Sequence, residues 1–279
     1  MKLICQGNEL SDALAKVVKA LPIKRNNPIL DGVKLTALGD TLTIFATDLE
    51  LAIEKKINAQ VLIEGEIVVP GKLFADYAKK IEEEQVELDG TDSSKLVIKY
   101  LDSELQIKCM SADEYPVFKE VDTQNSFIIL KKEFKDIISK VIFNVAVDEA
   151  RPSLRGVCLN VKDEEVEAVA SDGYRLALAK AQIKNNGVID KIIVPAKSMN
   201  ELARLIDDGE ESPCTLRKTI SWLTFSTPRS SQDLSARIIS TTKRLSPVCL
   251  QPKLPSTKSS LKTQSTVCRS STARKRNLT

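Results

Sequence analysis

This chain of 279 residues contains no histidine, which removes the commonest general base and the commonest zinc ligand together. No apolar run approaches the length that spans a bilayer. The N-terminus, Met1 to Gly7, lacks the basic-then-apolar layout of a secretory signal. A soluble cytoplasmic protein is the expectation. The six cysteines form no CxxC pair and no disulfide-framework spacing, and read as reduced, mostly buried small side chains. Acid is scarce in one region only. Residues 213–279 hold 13 Lys/Arg against a single acid, Asp233, which leaves 28 basic and 37 acidic residues in 1–212. So sharp a shift marks a boundary.

What is present is a repeat. The apolar content of 42% suits a chain long enough for two cores. Pro28-Ile-Leu-Asp-Gly-Val-Lys-Leu35 returns as Pro152-Ser-Leu-Arg-Gly-Val-Cys-Leu159, an offset of 124. Ala46-Thr-Asp48 returns as Ala170-Ser-Asp172, and Val69-Pro-Gly-Lys72 as Val194-Pro-Ala-Lys197, at offsets of 124 and 125. A period this long means duplicated domains rather than a solenoid.

Each copy reads alike. A short strand (residues 2–6; 126–130) leads into an amphipathic helix, with Leu10, Ala13, Leu14, Val17 and Val18 on one stripe and Phe134, Ile137, Ile138, Val141 and Ile142 on its counterpart. Alternating strands follow at 33–37 with 41–46, and at 157–161 with 166–170. A second helix starts after Pro70 or Pro195, with stripes Phe74, Tyr77, Ala78, Ile81 and Met199, Leu202, Ala203, Ile206. The first copy continues with alternating segments at 86–88, 95–100 and 104–109; the second is expected to stop after its second helix. Two helices packed on antiparallel sheet, repeated, is an α+β architecture.

The segments "NNPIL", "ATDLELAI", "IVVPGKLFADYAKKI", "ASDGYRLALAK" and "IIVPAKSMNELARLI" resemble the beta subunit of bacterial DNA polymerase III, the beta sliding clamp, over residues 1 to about 212. The resemblance implies repeated clamp domains: domain 1 at 1–120, complete, and domain 2 at 126–212, incomplete. It also implies a non-catalytic, cofactor-free processivity factor that encircles double-stranded DNA and serves the replicative polymerase and the clamp loader. In the family, three domains per subunit and two subunits make a head-to-tail ring. No third copy follows here, and the expectation is against a closed ring, because the helix face of Met199, Leu202 and Ile206 would be left uncovered. Residues 213–279, with 24 Ser/Thr among 67, read as an aberrant and disordered tail, either natural or the product of a frameshift near Glu211. Within it, 220–225 reads as a strand and 235–239 as the start of a helix.

Basic residues recur at matched helix positions: Lys16 with Lys140, Lys72 with Lys197, Lys79 with Arg204. They read either as ordinary solvated faces or as a phosphate-facing lining, which needs positive charge without sequence information. By resemblance, DNA contact falls to Lys24, Arg25 and Lys72, with Arg151, Ser153 and Lys197 in second place. Leu154, Ser171, Gly173, Tyr174, Arg175 and Leu176 match one wall of the family's partner-peptide cleft, although Leu154 and Leu176 also read as core. Asp48 and Asp172, beside Thr47 and Ser171, read as turn-forming acids, or else as the carboxylates of a metal-dependent nuclease or hydrolase. Nonspecific nucleic-acid binding through the basic tail is a third reading. No catalytic residue and no metal ligand set is assigned.

If the repeat is the folding unit, residues 1–120 fold alone. Limited proteolysis should then leave a resistant core ending near 121–127; early cleavage inside 30–110 would remove that boundary.

Overall fold

The computed structural model describes residues 1–22, 27–81, 84–92, 94–116, 126–147, 151, 154–187, 190–206, 213–218, 222–227 and 234–239. Its described residues belong to one unit, Met1–Leu245. Strand β1 (Lys2–Gln6) turns directly into helix α1 (Gly7–Val17), where the predicted stripe of Leu10, Ala13, Leu14 and Val17 is fully buried. Strands β2 (Gly32–Leu38), β3 (Thr41–Thr47), β4 (Leu51–Ile63) and β5 (Gly65–Pro70) follow. Pro70 then caps α2 (Gly71–Ala78), a position where its missing N–H costs nothing. β6 (Gln85–Asp89), β7 (Lys95–Tyr100) and β8 (Ser103–Lys108) complete the first copy.

The long strand β4 and the short β5 after it are among the elements that sequence periodicity missed. The first half of β4 pairs with β3, from Thr47↔Ala52 to Thr41↔Asn58. Its second half pairs with β1, from Cys5↔Ala59 to Lys2↔Ile63. One strand thus serves two sheets, β5-β2-β3-β4 and β4-β1-β6-β7-β8. The alternation is obscured by Lys55, which interrupts the inward series Ile53, Ile57 and Ala59 yet is only 3% exposed. Burial lowers the Lys55 pKa, as does the neighbouring Lys16, while Asp12, 3.4 Å from its ammonium, opposes the shift.

The second copy repeats the plan. It runs β9 (Ser126–Leu130), α3 (Lys131–Val141), β10 (Gly156–Val161), β11 (Glu165–Ser171), β12 (Leu176–Gln182), β13 (Lys184–Asn186), β14 (Asp190–Pro195) and α4 (Ala196–Leu205). β12 and β13 together take the place of β4: β12 pairs with β11 and β13 with β9. The helix stripes are again buried, with Phe134, Ile137, Ile138 and Val141 on α3, and Met199, Leu202 and Ile206 at or beside α4.

Several expectations are corrected here. The second copy does not stop after its second helix. Three strands follow, β15 (Pro213–Lys218), β16 (Trp222–Thr227) and β17 (Leu234–Ile239), paired in the order β9-β15-β16-β17. They stand where β6, β7 and β8 stand on β1, so the aberrant, disordered tail does not begin at 213. The stretch at 235–239 is a strand rather than a helix start. Ala236 and Ile238 are buried at period two, and the backbone of 234–238 finds its partners on β4. The helix face of Met199, Leu202 and Ile206 is also covered, since α4 packs on α3, β10 and β14. Residues 240–279 lie outside the described set.

β17 also joins the copies. It pairs antiparallel with the first half of β4, from Leu234↔Lys55 to Ile238↔Leu51, so a single sheet runs β13-β9-β15-β16-β17-β4 across the junction. Ile238→Ala removes buried methylenes at that seam and should lower stability by roughly 2–4 kcal/mol in urea denaturation. An unchanged midpoint would return 213–239 to a tail without structural work.

Candidate functional site

The loop between β11 and β12 gathers most of the candidate cleft residues. Ser171 Oγ donates to the Arg175 carbonyl at 2.9 Å and accepts from the Gly173 N–H at 3.1 Å. Asp172 Oδ1 accepts from the N–H groups of Tyr174 and Arg175, both at 2.9 Å, and Oδ2 accepts from Arg175 Nε at 2.9 Å. These donors favour the carboxylate. The Arg175 and Tyr174 amides, then the Arg175 side chain, pull the Asp172 pKa from 3.8 to about 2. Gly173 holds φ +93°, and a Cβ there would lie 2.7 Å from an Arg151 guanidinium nitrogen and 3.7 Å from Leu154 Cδ1. The positive φ is what calls for glycine here, since the Arg151 guanidinium ends a flexible side chain and 3.7 Å to Leu154 is ordinary contact.

This construction lifts apolar surface into solvent. Tyr174 is 96% exposed and Leu176 42%, while Leu154 is half-buried. The Ala146 N–H donates to the Leu154 carbonyl at 2.9 Å, and the next residue, Val147, is 92% exposed. Val147 carried no signal in the sequence, because it lies beyond the helical stripe and in no strand.

The first copy builds the same loop by the same bonds. Thr47 Oγ donates to the Leu51 carbonyl at 3.0 Å and accepts from the Leu49 N–H at 2.9 Å. Asp48 Oδ1 accepts from Glu50 N–H at 3.0 Å and Leu51 N–H at 2.7 Å. Leu49 takes φ 74°, an unfavourable angle for a branched side chain, at the place of Gly173. The two aspartates are therefore turn residues, each engaged in its own loop, and a paired-carboxylate hydrolase gains no support. Among the described residues no group of three or more His, Cys, Asp or Glu could hold a metal ion. Cys5 and Cys109 are buried free thiols, pushed up to about 12 and about 11 mainly by burial, which leaves them inert as nucleophiles.

The matched basic positions fall in different surroundings. Lys16 lies 3.4 Å from Asp12, Lys79 3.0 Å from Asp76 and Arg204 3.0 Å from Glu201, each inside its own helix segment. Lys197 meets Asp48 at 2.5 Å, an ion pair between the copies that no pattern along the chain could locate. Lys72 is exposed at the start of α2, and Lys140 is exposed near the end of α3. Arg151 is exposed beside Gly173, whereas Lys24, Arg25 and Ser153 lie outside the described residues. Also among the described residues, no helix is long and apolar enough to cross a membrane.

Comparison with known proteins gives one consistent result. The family model of the DNA polymerase III beta subunit N-terminal domain matches residues 1–119, and that of its central domain matches residues 128–227. The second match extends past residue 212, in keeping with strands β15 and β16. The beta sliding clamp of Halalkalibacterium halodurans is 32% identical over 206 residues, which cover 70% of this chain and 54% of that protein. That of Bacillus subtilis is 30% identical over 220 residues, covering 76% and 58%. The chain thus spans about half the length of the curated relatives it matches. Among solved structures, the DNA polymerase III beta subunit of Thermotoga maritima superposes with a TM-score of 0.76 at 29% identity, over 88% of this chain and 66% of that one.

The depressed Asp172 pKa has a direction in pH. A carboxylate lowered from 3.8 to about 2 contributes to the loop fully above about pH 4, and its contribution is lost as pH falls through about 2. Titration of the Asp172 carboxyl by NMR should give a midpoint near 2, rising only in part in Arg175→Ala, which removes the side-chain donor and leaves the two backbone amides; a midpoint near 3.8 in the unaltered chain would dissolve the loop's bonding scheme.

Proposed function

The chain belongs to the DNA polymerase III beta-subunit family, and from that membership we propose that it is a cytoplasmic sliding-clamp protein, a non-catalytic processivity factor that holds a replicative polymerase on duplex DNA. The observation that carries the reading is the pair of clamp-domain matches in family order, 1–119 then 128–227, on two copies of one fold joined through β17 and β4. Such a protein needs no reaction centre. It needs a surface that attracts phosphates without reading bases, and a docking place for its partners.

For the first, the proposal assigns Lys24, Arg25 and Lys72, followed by Arg151 and Ser153. Lys197 ranks lowest, because its ammonium is already neutralised by Asp48. Residues 1–212 carry more acid than base, so a few placed cations attract DNA while the remaining surface repels it. That balance favours holding over gripping. For the second, the proposal assigns Leu154, Ser171, Gly173, Tyr174, Arg175 and Leu176 as one wall of a peptide cleft. Tyr174 and Leu176 supply exposed apolar area, and the bonded Ser171-Asp172 turn fixes their position at low entropic cost. The partners are apolar-ended segments of a polymerase and of a clamp loader.

The experiment is DNA affinity as a function of salt. Replacing Lys24 and Lys72 with alanine should weaken binding equally for all sequences and reduce the log–log salt slope by about 0.9 for each phosphate that is no longer neutralised. Lys197→Ala should change the slope less than Lys72→Ala. An unaltered slope in the double variant would show both lysines to be merely solvated.

A further inference from the structure

Strands β2 and β3 stop pairing before they end. Their ladder runs from Leu38↔Thr41 to Lys34↔Phe45 and closes no rung at Gly32 and Thr47, which come next in register. On its other side Gly32 faces Pro70, which has no N–H to give. A third residue fills the gap. Tyr115 Oη donates to the Gly32 carbonyl at 3.0 Å. The same oxygen shares a hydrogen bond with the Thr47 backbone, which opposes the upward pKa shift that burial gives the phenol. A bond that favours the phenolate is one donated to its oxygen, so the donor is the Thr47 N–H. The buried hydroxyl keeps its proton and closes the rung from both sides.

Tyr115 is held in place by its own segment. Met110 and Val68 exchange both backbone bonds, at 2.9 and 3.2 Å, and the Tyr115 N–H donates to the Ala112 carbonyl at 3.1 Å. The buried ring stands edge-on to Phe45, with centroids 5.9 Å apart. With Ile29, Leu30, Val68 and Ala112 it forms a small second core, apart from the main one. Ile29 and Leu30 belong to the helical turn Pro28–Asp31, where Asn27 Oδ1 accepts the Ile29 N–H at 3.2 Å and the Gly32 N–H donates to the Ile29 carbonyl. Tyr115 thus grips that turn twice, through the small core and through Gly32. Lys24 and Arg25 precede Asn27 by three and two residues.

We propose that Tyr115 is a positioning residue for DNA contact: by closing β2 to β3 it fixes the Asn27–Gly32 turn, and with it the base of the segment that carries Lys24 and Arg25. The proposal rests on the clamp reading, and Tyr115, being buried, acts only through that turn. A cation on a long side chain loses conformational freedom when it meets a phosphate, and an anchored base reduces that loss. The same hydroxyl reaches Thr47, which with Asp48 builds the turn that meets Lys197 of the other copy. The phosphate-contact segment and the seam between the copies therefore share one anchor.

Tyr115→Phe tests this in the full chain, because it keeps the ring and deletes only the hydroxyl that serves Gly32 and Thr47. Exchange of the Ile29 and Gly32 amides should quicken, while the amides of α3 keep their protection. In DNA titrations over salt, Tyr115→Phe should lower the log–log slope by part of what Lys24→Ala/Arg25→Ala removes, about 0.9 for each phosphate no longer neutralised. Added to that double variant it should lower the slope no further; added to Lys72→Ala it should act in full. A general structural weakening acts equally in both backgrounds, and that result would overturn the proposal. So would an unchanged slope, or unchanged Ile29 exchange, in Tyr115→Phe where the Lys24 and Arg25 variant does lower the slope. If that double variant itself leaves the slope unaltered, the cation assignment of the clamp reading falls, and the positioning role falls with it.

Discussion

The backbone pairing of β17 on β4 is the constraint that places every other element of this molecule. A strand at a sheet edge presents a row of unpaired N–H and C=O groups, and leaving such a row open invites wrong partners. Here β4 is long enough, at 13 residues, to satisfy three neighbours: β3 on one edge of its first half, β17 on the other, and β1 beyond. Two copies that would otherwise be separate α+β units share a sheet, with Ala236 and Ile238 in its buried face. The relative placement of the copies follows from hydrogen-bond register, not from a flexible linker.

Charge reinforces the same seam. Asp48 holds its turn with one oxygen and Lys197 of the other copy with the second. Lys19 reaches the Arg204 carbonyl beside it. Such contacts add little energy individually where water reaches them. Their use is directional, fixing which face of α4 meets the first copy. In the second copy the equivalent aspartate turns its free oxygen to Arg175 instead, and its loop carries Gly173 and Tyr174 where the first has Leu49 and Glu50. Duplication gave two identical turns. In the first copy the turn carries the ion pair to Lys197, and in the second it carries the exposed Tyr174 and Leu176.

Much of this was legible in the residues. The 124-residue offset, the buried helix stripes and the strand–helix order of each copy follow from period and spacing, because a residue's face is set locally by 3.6 or 2 residues per repeat. The turn role of Asp48 and Asp172 was also readable, since a short acid beside Ser or Thr bonds its own backbone. Composition misled in one place. The acid-poor stretch after 212 read as structureless, yet 213–218, 222–227 and 234–239 are strands, because sheet pairing needs backbone partners and a few inward apolar residues rather than any overall composition.

The fold of each repeat and the family it resembles were thus written in local patterning over many positions, and needed nothing beyond the order of the residues. Four features were settled only in three dimensions: that β4 serves two sheets, that Lys55 is buried, that Lys197 is tied to Asp48, and that Arg151 and Leu154 lean on Gly173. Each of these joins residues distant along the chain, so its energy depends on approach in space, and no periodicity within one segment carries that information.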